Sequence, residues 1–348
     1  MIHYAQSKVL HLSAHVVGNG VAGEKLKLSS EGLEIEDESL QQSLLTYFIA
    51  GFTVPEYYRL TSVDDNFEEN PLFKFASDIF SNPYSLHATS INIATHLYET
   101  TLLPTIKSGD LYVAYISDLR VDDMNVDAVG IFKAESKDSY LRLNTSSPVF
   151  KLKAENGINI RRLDKGCLIL NTEKESGFKI LAIDNLNKLE AQFWMNDFLQ
   201  VKPHADNFQR TKRMLDVTRQ YIDDHLDEEF SVTKADKIDF LNKSINFFKT
   251  KDEFNQHQFE AEVLEDPSVI ESFRNYERTS RPEGAHDNMD DFEISAHAVK
   301  RQARVFKSVL KLDKNFHIYI HGNRQLIEKG YDEVQNKNYY KIYFDEET

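Results

Sequence analysis

The stretch that decides the fold is "GDLYVAYISDLRVDDMNVDAVGIFKAES", residues 109–136. It holds two apolar, β-branched and aromatic runs, "GDLYVAYISDL" and "VDAVGIFKAES", around the short polar turn "VDDMN". Such runs separated by short turns predict antiparallel strands. "SYLRLN" (139–144) follows as another strand, and "CLILNTEKESGFKILAID" (167–184) repeats the pattern around a turn carrying Gly177. Strands that follow one another without intervening helices predict α+β rather than a parallel α/β sheet.

Upstream, "KVLHLSAHVVGN" (8–19) reads as an opening strand closed by a Gly/Asn turn. "EDESLQQSLLTYFIAGF" (36–52) places Leu40, Leu44, Leu45 and Phe48 at helical spacing, with acids where a helix dipole favours them. "PYSLHATSINIATHLYETTLLP" (83–104) is a second helix, stopped by Pro104. Downstream the pattern turns helical: "KLEAQFWMNDFL" (188–199), "DNFQRTKRMLDVTRQYIDDHL" (206–226), "SVTKADKIDFLNKSINFFK" (231–249) with Ser231 as cap, and "EDPSVIESFRNYER" (265–278) with an Asp-Pro start. The expected organisation is an N-terminal mixed α/β domain with an antiparallel meander over 1–188. A helical C-terminal region over 189–348 then closes in a β-hairpin within "FHIYIHGNRQLIEKGYDEVQNKNYYKIYF" (316–344).

The chain has 348 residues, a formal net charge of -15 and one cysteine. That charge argues against a protein coating DNA through its overall field. A lone Cys167 excludes a disulfide framework within one chain and any multi-cysteine metal site, and its setting in "GCLILN" makes it a buried packing residue. The longest apolar run is too short to cross a bilayer, which needs about 20 residues. "MIHYAQSKVLHL" lacks the parts of a signal peptide, so the expected location is cytoplasmic.

Against this acidic background, "AVKRQARVFKSVLKLDKNFHIYIHG" (298–322) carries six Lys/Arg and a single Asp. On a helix from Ile294 to Leu312, Lys300, Arg304, Lys307 and Lys311 fall on one side. Val299, Phe306, Val309 and Leu310 supply an apolar face, and Arg301 and Lys314 add charge nearby. These six cations are the candidate nucleic-acid contacts. The alternative is that they neutralise the protein's own surplus acid. The cluster Arg210, Lys212, Arg213 and Arg219 is diluted by Asp216, Asp223 and Asp224 and reads as a surface ion-pair lattice. His317 and His321 would stand about 13 Å apart on one strand, too far to share a metal. His286, Asp287, Asp290 and Asp291 lack a fixed metal-loop spacing. No phosphate-cradling Gly-rich loop, nucleophile elbow or zincin motif is present, so neither cofactor nor metal is expected. A metal-dependent nuclease using abundant carboxylates such as Asp184 stays open as an alternative.

The order of "LSAHVVGN", "LLTYFIAGF", "PEYYRLTS", "GDLYVAYISDL", "VDAVGIFKAES" and "FWMNDFL" resembles the bacterial nucleoid-associated protein family of the NdpA (YejK) type. The closing β unit after a basic stretch is similar as well. The resemblance spans nearly the whole chain and implies a cytoplasmic, nucleoid-located, non-enzymatic protein with DNA-binding or DNA-associated behaviour. The DNA would be double-stranded and read with low sequence specificity. The resemblance also implies a possible topoisomerase or chromosome-organising partner, so an adaptor with little direct DNA contact is the second reading. A homodimer is a further expectation, and no membrane partner is.

Overall fold

The computed structural model describes residues 2–346 apart from 36, 147, 187–191, 281–290, 307–308 and 321–325. It divides into two compact units, Met1–His204 and Ala205–Thr348. Residues Phe193–Phe198, a π-helical turn, pack in the first unit through Phe193, Trp194, Phe198 and Leu199, so its core extends past residue 188.

In chain order the first unit contains β1 (Ile2–His3), β2 (Lys8–Val17), α1 (Glu38–Ile49), β3 (Tyr57–Leu60), α2 (Pro71–Ser81) and α3 (Leu86–Thr100). The strands β4 (Gly109–Val121), β5 (Met124–Ala134), β6 (Asp138–Asn144), β7 (Lys151–Gly157), β8 (Lys165–Leu170), β9 (Lys179–Asp184) and β10 (Val201–Pro203) follow. An eight-stranded antiparallel sheet runs β1-β4-β5-β8-β9-β3-β10, with β2 also pairing β4. The β4–β5 and β8–β9 pairings and the two upstream helices form as the sequence predicts, whereas "SYLRLN", expected as the next meander strand, lies outside this sheet. Gly177, at φ +97°, sits in the turn between β8 and β9, where a Cβ would lie 2.6 Å from the Leu60 carbonyl oxygen.

Both faces of this sheet are buried. Leu111, Val113, Tyr115, Val129, Ile131, Cys167, Ile169 and Ile180 pack beneath α2, α3 and the Trp194 turn. Ala114, Ile116, Leu119, Val121, Phe132 and Leu168 pack on the other side with Leu45, Tyr47, Phe48 and Ile49 of α1. A bulge between Ile116 and Leu119, with Asp118 at φ +54°, inserts a residue so that both keep facing the α1 layer. Asn70, fully buried, caps α2 by accepting from the Leu72 N–H at 2.8 Å and donates to the carbonyls of Thr61 (2.8 Å) and Leu199 (3.0 Å).

One end of the sheet is charged inside. Lys133, Lys165 and Asp184 lie in one cross-strand row of β5, β8 and β9. Lys133 and Lys165 bring Nζ to 2.8 and 3.1 Å from Glu135 Oε1, and Lys165 is 3.5 Å from Asp184 Oδ2. All four side chains are at most 2% exposed. Burial pushes the Asp184 carboxyl up, against the pull of the Leu186 N–H and Lys165.

The second unit is helical: α4 (Asn207–Gln220), α5 (Lys234–Thr250), β11 (Glu253–Phe254), α6 (Pro267–Thr279), β12 (Phe292–Glu293) and α7 (Ala296–Gln302). Thr233, rather than Ser231, caps α5 in a reciprocal box with Asp236. Asp266 and Pro267 start α6 as the sequence predicts. Its core is aromatic, with Phe254 stacked between Phe248 (5.6 Å) and Phe292 (4.9 Å). The chain closes in two separate hairpins, β13 (Val309–Leu312) with β14 (Phe316–Tyr319) and β15 (Ile327–Asp332) with β16 (Lys337–Ile342). Leu310, Ile320 and Ile327 form their own small cluster on Ile238 of α5.

Removing one member of the buried ion cluster leaves the others uncompensated. Lys165→Met should therefore lower unfolding free energy by about 3–5 kcal/mol, measurable by urea denaturation. An unchanged midpoint would show that Glu135 and Asp184 do not depend on Lys165. His15 gives a pH test. It accepts from the Ser29 N–H at Nδ1 (3.1 Å) and meets Ser90 Oγ at Nε2 (2.8 Å), an arrangement that suits the neutral ring. Burial, then the neighbouring His87, lowers its pKa from 6.5, so its stabilisation is complete above pH 6.5 and lost as pH falls below it. The thermal midpoint should drop on acidification from pH 7 to 5, and His15→Gln should flatten that slope.

Candidate nucleic-acid interface

The basic segment is not one helix. The sequence predicts helix from Ile294 to Leu312, but α7 runs only from Ala296 to Gln302. Ser295 caps it by accepting from the Ala298 N–H, and Gln302 donates to Asp216 Oδ1 at 3.0 Å. Ala298 and Val299 are buried and hold α7 in the helical core. Phe306 belongs to that same core, whereas Leu310 belongs to the small cluster with Ile238, Ile320 and Ile327. A continuous helix would place Phe306 and Leu310 one turn apart on one face. The chain has already left the helix before Phe306, through the turn at 303–305, and Phe306 and Leu310 go to separate cores.

The expected single stripe of cations is therefore corrected to a path over three kinds of backbone. Lys300 and Arg301 stand in the last turn of α7, where the helix dipole favours positive charge. Arg304 lies in the turn, Lys311 on β13 opposite His317, and Lys314 in the hairpin turn. All five are exposed. Lys307 lies outside the described residues. Among the described residues, no carboxylate comes within ion-pair distance of Lys300, Arg304, Lys311 or Lys314.

The other basic cluster behaves differently. Arg213 lies 3.9 Å from Glu277 and Arg219 lies 3.6 Å from Asp223, while Arg210 and Lys212 also have partners. Of the interleaved acids Asp223 pairs with this cluster, Glu277 of α6 supplies the partner of Arg213, and such pairs contribute little individually. The contrast between the two clusters is the main electrostatic fact of the second unit.

A further basic element is legible only in part: "SYLRLN" is expected as a strand, its partner is not. β6 and β7 form a two-stranded ribbon outside the main sheet, not a continuation of the meander. Its register puts Arg142 opposite Lys153 and Asn144 opposite Lys151 on one face. The alternation in "SYLRLN" and "KLKAENG" is the signal for this pairing; the second strand lacks β-branched residues and looks like loop.

The remaining sequence candidates take structural roles or fall outside. His317 is exposed on β14, and His321 is outside the described residues, as are His286, Asp287 and Asp290. Asp291 accepts from the Asn255 side-chain amide at 2.9 and 3.0 Å. Asp184, the carboxylate singled out for a nuclease, is shut into the ion cluster with Lys165. Among the described residues no group of three or more His, Cys, Asp or Glu side chains could hold a metal ion. Cys167 is fully buried, and burial pushes its thiol up.

Among the described residues no helix is long and apolar enough to cross a membrane. Curated protein sequences yield no match to the chain. The family model of nucleoid-associated protein YejK matches residues 13–341, from the middle of β2 through the helical unit and the basic segment almost to the end of β16. The chain belongs to the nucleoid-associated protein YejK family.

Proposed function

We propose that this protein is a cytoplasmic, nucleoid-located DNA-binding protein that contacts phosphates without reading sequence and without catalysing a reaction. The carrying observation is the set Lys300, Arg304, Lys311 and Lys314, exposed and free of ion pairs among the described residues in a chain of net charge -15. Arg301 stands beside them, and Lys307 joins them by sequence. Screening confines charge interactions to about 8–10 Å at physiological salt, so surplus acid elsewhere does not cancel a local cationic path. Phosphate contacts position a duplex without specifying bases, which suits a sequence-tolerant binder.

Four neutralised phosphates predict that log K falls with log salt at a slope of about -3.6. The triple variant K300E/R304E/K311E should lower affinity for random-sequence duplex at least ~100-fold at moderate salt and flatten that slope by about 3. Fluorescence anisotropy over a salt series measures both. Unchanged affinity in the triple variant would remove this segment from the interface.

The second reading is an adaptor that docks onto a DNA-processing protein such as a topoisomerase. It is favoured by exposed aromatic side chains on and beside the terminal hairpins: Phe316 (63% exposed), Tyr319 (65%) and Phe344 (71%). F316A/Y319A should then abolish capture of the partner from nuclease-treated lysate while leaving anisotropy unchanged. Capture that depends on intact DNA would return the reading to direct binding. A homodimer is part of the proposed assembly.

A further inference from the structure

The β6–β7 ribbon carries a second property besides its cations. Its strands pair in strict register, with Leu143 opposite Leu152 and Leu141 opposite Ala154. Alternation therefore sets Leu141, Leu143, Leu152 and Ala154 on one face and Tyr140, Arg142, Lys151, Lys153 and Glu155 on the other. Leu141 is 70% exposed, Leu143 56% and Leu152 62%, with Val149 and Phe150 also exposed toward the tip. None of these apolar residues belongs to any of the hydrophobic clusters formed by the described residues. The ribbon pairs with no other strand of the described chain. An isolated two-stranded ribbon is at best marginally stable in water and gains from packing on a further layer.

We propose that this arm is a homodimerisation element, in which the apolar faces of two copies stack about a twofold axis and leave both cationic faces outward. Charge selects the occupant. A polyanion would meet the face of Arg142, Lys151 and Lys153 and leave the leucines in water. A second copy covers the leucines, and the uncharged face lets two chains of net charge -15 approach without opposing like charges at the contact. The patch is also self-complementary, since each copy offers the same cross-strand leucine pair, as a twofold contact requires. Stacked sheets lie about 10 Å apart, which these side chains fill. Covering the apolar face and tip would bury roughly 500 Å² per copy, about the lower limit for a specific interface. The inference specifies the homodimer named above and does not rest on nucleic-acid binding, because its test contains no DNA.

The full chain is studied at micromolar concentration by sedimentation equilibrium, in wild-type form and as L143E/L152E. Wild type should sediment at twice the 40.3 kDa chain mass and the variant at the chain mass. The variant's far-UV circular dichroism should match that of wild type, because neither leucine is in a core cluster and the monomer stays folded. A second measurement resolves the face. Cys167 is fully buried and silent toward thiol reagents, so L143C and R142C each introduce one accessible thiol. A bismaleimide of about 10 Å span, the spacing of stacked sheets, should link L143C chains at least ~10-fold faster than R142C chains. A monomeric wild type, a dimer that survives L143E/L152E, or equal linking at both positions would overturn the proposal.

Discussion

Strands β4 and β5 have no face that tolerates water, and the first unit follows from that constraint. Leu111, Val113 and Ile131 look one way, and Ala114, Ile116 and Phe132 look the other. Antiparallel sheets commonly leave one face solvated, so a sheet buried on both sides needs helical cover on each. α1 supplies one layer, and α2, α3 and the Trp194 turn supply the other. Where the apolar rows end, Lys133, Lys165, Glu135 and Asp184 remain within the covered volume and compensate one another. Such a cluster adds little net stability over an apolar equivalent, yet it tolerates the loss of no single member.

This part of the molecule was legible because local pattern and burial agree. The apolar runs of residues 109–134 and the helical spacing of 86–100 each describe elements whose neighbours lie close along the chain. The Asp266-Pro267 start could be read because a cap is a local device. The segment 294–312 misled for the opposite reason. Val299, Phe306 and Leu310 satisfy a helical period, but Phe306 and Leu310 are owned by different cores, a fact set by Ile238 and Ile327 far away in sequence. In the β6–β7 arm the first strand was legible and the second was not, because the second lacks β-branched residues and its alternation is weak without the cross-strand partner.

The candidate interface was legible as composition and illegible as geometry. Six cations within residues 298–322 stand out in an acidic chain at sight. Whether cations are consumed by neighbouring carboxylates depends on distances of a few ångströms that no spacing rule provides. Arg213 and Arg219 have acids within 4 Å, and Lys300 and Arg304 have none among the described residues. Sequence reading separates an acid-diluted cluster from an acid-poor one; the distances add that Arg213 and Arg219 are paired while Lys300 and Arg304 have no ion pair among the described residues.

The small cluster of Ile238, Leu310, Ile320 and Ile327 has a consequence for how the basic segment responds to load. Lys300 and Arg301 are anchored through Val299 to the large aromatic core, while Lys311 is anchored through Leu310 to the small one. Regions with few buried apolar contacts open at lower free energy than the main body. An anion spanning both anchors, as the proposed function requires, would act as a clamp between two cooperative units of unequal strength. Part of its binding energy would go into suppressing the opening of the weaker unit, leaving the terminal hairpins stiffer when the segment is occupied than when it is bare.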